Sequence, residues 1–195
     1  MSGSDRASRY PAAVIAMHWA IAVGVVGLVA LGWWMQTIPK QPVGFRADAY
    51  NLHKSIGLAA LLLMAARLAW RASHRPPELP PLPVWQARAA LGVHLSLYAL
   101  MFIAALSGYL GSATSGYPVK FFGWVLPSWA GTHDEVKEAC SLVHLVSNWV
   151  LMAVIGTHVA ATAYHQWILR DDLFWRMWPV GARQRRRAVE ASGAP

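Results

Sequence analysis

"VHLVSNWVLMAVIGTHV", residues 143–159, is apolar enough to lie in a bilayer, yet it carries two imidazoles, His144 and His158. On a helix the fourteen residues between them advance about 21 Å and turn through nearly four revolutions, so both rings leave one face. The hydrocarbon core of a bilayer is about 30 Å thick, which puts one ring near each side. Ionisable groups at such depth are expensive and mark function. The stretch therefore reads as a membrane-spanning helix with polar sites at two depths.

Working outward, the same character holds along the chain. Of its 195 residues, 56% are hydrophobic and only 13% charged, with mean hydropathy +0.34. Soluble domains carry about 25% charged residues, so the class is a membrane protein. Four apolar stretches are long enough to span, near 12–35, 50–70, 90–112 and 140–167. The connections near 36–49, 71–89 and 113–139 leave no room for a separate soluble domain. The fold class is all-α integral membrane, with 1–195 forming one four-transmembrane-helix bundle that ends in a basic tail at 181–195. The Pro-rich "RPPELPPLP", 75–83, predicts an extended second connection. The first apolar stretch has no small-residue cleavage site and reads as a retained helix.

The net charge of +8 invites a nucleic-acid reading, but its distribution argues against one. With both termini on one side, Arg6, Arg9, Arg67, Arg71, Arg75, Arg88, Arg170, Arg176, Arg183, Arg185, Arg186 and Arg187 share that side. Lys40, Arg46, Lys54, Lys120 and Lys137 fall on the other. Twelve against five makes both termini cytoplasmic by the positive-inside rule. The terminal "RQRRR" is then a topology anchor near anionic lipid, and no nucleic-acid partner is expected. Cys140 is the only cysteine, so there is no intramolecular disulfide and no C-x-x-C-H haem attachment site. Any haem must be held by coordination alone.

Of eight histidines, His74 and His133 fall in connections and read as solvated loop residues. The other six sort by depth. His53 and His144 form an outer layer; His18, His158, His94 and His165 form an inner one. Zinc wants four close Cys, His or carboxylate ligands, and the outer layer offers two imidazoles and little else. A proton relay normally adds Asp or Glu, and no acid lies in the middle of any span. Haem needs one or two axial ligands beside a flat apolar slot, so haem is favoured. Spacing alone predicts two haems and leaves the inner pair open among His18, His158, His94 and His165.

The second span adds a clue, because His53 and Arg67 are also fourteen apart and share a face. Arg67, with Arg71 one turn beyond, is suited to haem propionates; the plainer reading is snorkelling to the interface. Gly57, Gly108 and Gly156 let either a flat macrocycle or a neighbouring helix come close.

These residues resemble the prokaryotic cytochrome b561 family, within the broader group that includes the b-type cytochrome subunits of nickel-iron hydrogenases. The likeness covers roughly residues 9–180. It rests on "RYPAAVIAMHWA" in the first span, "NLHKSIGLAALLLMAARLAWR" in the second, "GVHLSLYALMFIAALSGYL" in the third and "VHLVSNWVLMAVIGTHVAATAYH" in the fourth, with "RDDLFWRMWP" closing the chain. The resemblance implies a four-helix bundle enclosing two non-covalent b haems, with bis-histidine ligation. It implies His18 and His158 as the inner iron ligands, and His53 and His144 as the outer ones, in a bacterial inner membrane.

The family contains an activity that oxidises superoxide at the outer face and passes electrons to membrane ubiquinone. By resemblance this chain is expected to be a di-haem oxidoreductase of that kind. Lys54, beside His53, is the candidate for steering a small anion, with Lys40, Arg46, Lys120 and Lys137 on the same side. Asp134, Glu135 and Glu138 oppose that field. The stretch "YPVKFFGWVLPSWA", 117–130, reads as an interfacial roof over the outer end, or as one wall of a quinone slot. The alternative is a b-type electron-transfer subunit that docks a dehydrogenase or hydrogenase and hands electrons to quinone. A non-redox bundle is the remaining class.

Overall fold

The computed structural model describes residues 9–40, 43–75, 77, 82–171 and 173–179. Four long helices dominate it: α1 Ala12–Thr37, α2 Val43–Ser73, α3 Val84–Ala113 and α4 Asp134–Tyr164. All four are long and apolar enough to cross a membrane. Large side chains such as Val23, Leu62, Leu95, Leu142 and Trp149 stand on the outer faces, more than half exposed, where lipid covers them.

Each helix begins and ends for a local reason. Pro11 and Pro83 precede α1 and α3, where a missing N–H is harmless and the fixed φ suits the first turn. Asp134 and Glu135 place negative charge at the start of α4, against the positive end of its dipole. The helix α4 loosens into a wide turn over His165–Leu169, and Arg170, in the left-handed region at φ 53°, reverses the chain.

The helices extend past the expected spans at almost every end. The apolar reading stops at "DEVKEA" and at "VGFRADA", whereas the backbone stays helical through both. Helical hydrogen bonding continues into the interface after the side chains have turned polar. The Pro-rich connection 75–83 lies mostly, and the basic tail 181–195 wholly, outside the described residues.

Packing makes two helical hairpins. The helix α3 lies along α4 and α1 along α2, while α2 and α3 join the hairpins over a shorter length. Small residues line the α3 seam: Ala104 and Ser107 are buried, and a Cβ on Gly111 would stand 3.2 Å from the Cβ of Cys140. The start of α1 and the segment after α4 meet at one end. Arg9 donates to the carbonyl of Trp178, and the indole of Trp19 donates to that of Met177 at 2.7 Å. That end is termed inner and the opposite end outer, after the orientation expected from charge.

At the outer end a short hairpin, β1 Lys120–Phe121 with β2 Trp124–Val125, turns through Phe122 and Gly123, both at positive φ. Ser55, on α2 and almost fully buried, holds it down. Its one hydroxyl proton is shared between the Asn51 carbonyl of its own helix at 2.7 Å and the Lys120 carbonyl at 3.2 Å, and its oxygen accepts from the Phe122 N–H at 2.9 Å. The expected roof thus contains a hairpin pinned two residues from His53.

Candidate functional site

Each helix contributes two positions fourteen residues apart to the space between the hairpins: His18 and Gly32, His53 and Arg67, His94 and Gly108, His144 and His158. Because fourteen residues return a helix to the same face, this spacing builds two levels from one register. The outer level joins His53 and His144 with Gly32 and Gly108. The inner level joins His18, His94 and His158 with Arg67.

At the outer level the His53 and His144 rings face each other across α2 and α4, their centres 6.3 Å apart and their planes 82° apart. The Nδ1 of His144 donates to the Ala104 carbonyl of α3 at 2.7 Å, which leaves Nε2 with the lone pair. Glycine makes the room. A Cβ on Gly108 would stand 3.0 Å from His144 Cε1 and Nδ1, and one on Gly32 would stand 3.4 Å from His53 Cε1. The buried Nδ1 of His53 has no hydrogen-bond partner among the described residues. Lys54 follows it, half-buried on the next position of the helix.

At the inner level His18 and His158 lie 6.4 Å apart between ring centres, with planes at 70°. His94 comes within 5.3 Å of the same His158 ring, and its Nδ1 donates to its own helix at the Ala90 carbonyl, 2.7 Å away. Arg67 Nη1 lies 3.3 Å from His18 Nδ1, and its guanidinium carbon stands 6.0 Å from the centre of the Tyr98 ring. Arg71 is exposed on the outside of α2. His165 is elsewhere: it pairs with Asp171 in the turn after α4, which removes it from the inner group. Among the described residues, no three His, Cys, Asp or Glu side chains converge to hold a single metal ion.

Several contacts were not legible in the sequence reading. The Ala104 carbonyl behind His144 and the Ser55 tether depend on which helices become neighbours. Gly32 could have been found, because it follows His18 by the interval that separates His94 from Gly108. Gly57 and Gly156, expected to allow close approach, have nothing within 4 Å of an added Cβ; only Gly108 of that trio makes room for a neighbouring ring.

Comparison with known proteins gives the family. Residues 9–180 match the family described as Prokaryotic cytochrome b561. The chain is similar to "Cytochrome b561 homolog 2" of Escherichia coli (strain K12), 33% identical over 179 residues, covering 91% of this chain and 95% of that protein. It is also similar to "Cytochrome b561 homolog 1" of the same organism, 26% identical over 181 residues, with coverage of 88% and 98%. The "Probable superoxide oxidase CybB" of Yersinia pestis is 26% identical over 178 residues, with coverage of 88% and 96%. With nearly the whole chain matched and four apolar helices in place, the protein belongs to the prokaryotic cytochrome b561 family: a multi-pass membrane electron-transfer protein for b-type haem.

Proposed function

We propose that the chain holds two non-covalent b haems and carries electrons from superoxide at the outer face to ubiquinone in the membrane. The membrane is the bacterial inner one, with both termini cytoplasmic. The observation that carries this reading is the pair of imidazole couples between helices. Two metal–nitrogen bonds of about 2 Å each, with the half-widths of two rings, call for ring centres about 6 Å apart. The spacings of 6.3 and 6.4 Å suit that arrangement, and the 5.3 Å between His94 and His158 is short for it.

On this reading His53 and His144 hold the outer iron, and His18 and His158 the inner one. The unpartnered Nδ1 of His53 and the glycines beside both outer rings fit a flat group entering there. Arg67 is the candidate for the inner propionates, with Arg71 one turn on. One-electron transfer is the chemistry that haem supplies when bound. The chain supplies the spacing: α4 separates its two histidines by about 21 Å, most of the bilayer's apolar depth.

The superoxide assignment is supported by the name of the Yersinia pestis relative and by the cations of the outer end. Each superoxide gives up one electron and leaves as dioxygen. Two such electrons and two protons convert a quinone to a quinol. Lys54 beside His53 is the residue placed to draw in the anion, with Lys120 on the hairpin above it. The alternative is an electron-transfer subunit for a dehydrogenase or hydrogenase, with quinone again the acceptor. The outer surface around the hairpin favours it, since Tyr117 and Trp124 are 76% and 80% exposed and could meet a partner protein.

A visible redox spectrum of the purified protein, followed by superoxide addition, tests both. Two b-type haem equivalents with bis-histidine bands, reduced by superoxide and reoxidised by ubiquinone, are expected. Haems that superoxide leaves oxidised at every pH tried would transfer support to the subunit reading. A colourless protein after expression with ample haem would end both.

A further inference from the structure

The two levels back their rings with opposite chemistry. His144 Nδ1 donates to a carbonyl oxygen, Ala104 O, at 2.7 Å. His18 Nδ1 instead meets Nη1 of Arg67 at 3.3 Å, and a guanidinium is a permanent cation that only donates. A carbonyl behind a metal-bound imidazole makes the ring a stronger electron donor. A cation in the same place opposes the added positive charge of ferric iron, and does so most strongly away from water.

We infer that Arg67, a positioning residue acting through His18, makes the inner haem the easier of the two to reduce, so that electrons entering at the outer face run downhill. The inference rests on the proposed reading of His18 and His158 as inner ligands. Lys54 brings a positive charge to the outer level too. It leaves α2 about 100° around the helix from His53, however, whereas Arg67 is in contact with the ring it acts on. Tyr98 keeps the guanidinium in place with its ring face 6.0 Å away. The ligating form of histidine is the neutral imidazole; were iron held through Nε2, Nδ1 would keep its proton, two donors facing each other could not hydrogen-bond, and Arg67 would act on the neutral ring through its charge alone. An anionic ring paired with Arg67 would have the reverse effect, which gives the test a sign.

Redox titration of both haems in the purified full-length protein makes the test, with His18→Ala marking which component is the inner one. Because the same guanidinium is the candidate for the inner propionates, Arg67→Gln is titrated after reconstitution to two haem equivalents. At a fixed ambient potential its inner haem should show a ratio of reduced to oxidised form about tenfold lower, which is 59 mV for one electron. The outer component should not move. Arg67→Lys should restore most of the shift. The electron paramagnetic resonance of the ferric inner haem should change in Arg67→Gln, because that signal reports the axial ligands. An inner potential that rises or stays put overturns the inference and leaves the haem assignment standing. Loss of the inner haem in every neutral variant also overturns it, since Arg67 would then be a holding residue. If His18→Ala leaves both components, the ligand assignment has failed, and the inference with it.

Discussion

The outer level surrounds its two rings with glycine, and the inner level surrounds its own with an arginine and a third imidazole. Both occupy the same face positions of the same four helices, one fourteen-residue interval apart. At the outer level the contacts are with small groups and backbone: Gly32, Gly108 and the Ala104 carbonyl. At the inner level they are with side chains that carry charge or protons: Arg67, Tyr98 and His94. One register can therefore build two sites of equal ring spacing and different electrostatics.

The largest expected effect breaks the comparison outright. On the proposed two-haem reading, His53→Ala or His144→Ala should remove the outer haem and halve the haem content while the inner bands persist; His18→Ala or His158→Ala should do the reverse. A haemochrome assay with low-temperature spectra reads both. Should one substitution remove both haems, the two levels are not independent sites. His94→Ala sharpens the same point, since it is expected to keep both haems. Loss of the inner haem there, with retention in His18→Ala, would exchange the two assignments.

Glycine sets the next effect. Gly108→Val places its Cβ about 3.0 Å from the His144 ring, so the ring has to give way by a few tenths of an ångström. The crowding should cost about 1–3 kcal/mol and loosen the outer haem alone. Gly156→Ala, with nothing within 4 Å of its new Cβ, should be silent in the same haem-retention assay.

Ser55→Ala is a smaller perturbation at the outer end. It removes the bond from the Phe122 N–H and the weaker share of the hydroxyl proton that goes to Lys120, for about 1 kcal/mol. Thermal release of the outer haem should come earlier, with the inner haem's release unchanged; equal shifts in both would mean that the hairpin stabilises the whole bundle. The smallest effect belongs to steering. The rate of haem reduction by superoxide should fall as ionic strength rises, and Lys54→Gln should lower it a few-fold at low salt only. A rate indifferent to salt would remove the positive funnel and leave the anion to reach the site unaided.

Much of this architecture is written in local patterns. Four apolar runs name four helices because unsatisfied backbone cannot stand in lipid, whatever the neighbours are. The interval between His144 and His158 names two depths for a similar reason: helix rise and pitch are properties of the backbone alone. The pairing of His53 with His144 followed from matching depths, since on alternating helices only two imidazoles lie near the outer end. At the inner end four lay at similar height, and depth could not choose among them. His165 left the group only when the chain reversed at Arg170 and paired it with Asp171.

Other features were decided between elements. Arg67 reads equally well as a snorkelling cation or an interior one until α1 is laid beside α2 and His18 comes to meet it. Ser55 is an ordinary hydroxyl until a hairpin sixty-five residues away in sequence folds over it. The sequence by itself determined how many spans there are and at what heights along them the histidines stand, because these depend on composition and on the geometry of a single helix. Only the tertiary structure decided which rings share a contact and what stands behind each one, because those depend on the order in which four helices pack and on carbonyls and small residues that carry no signal until a neighbour arrives.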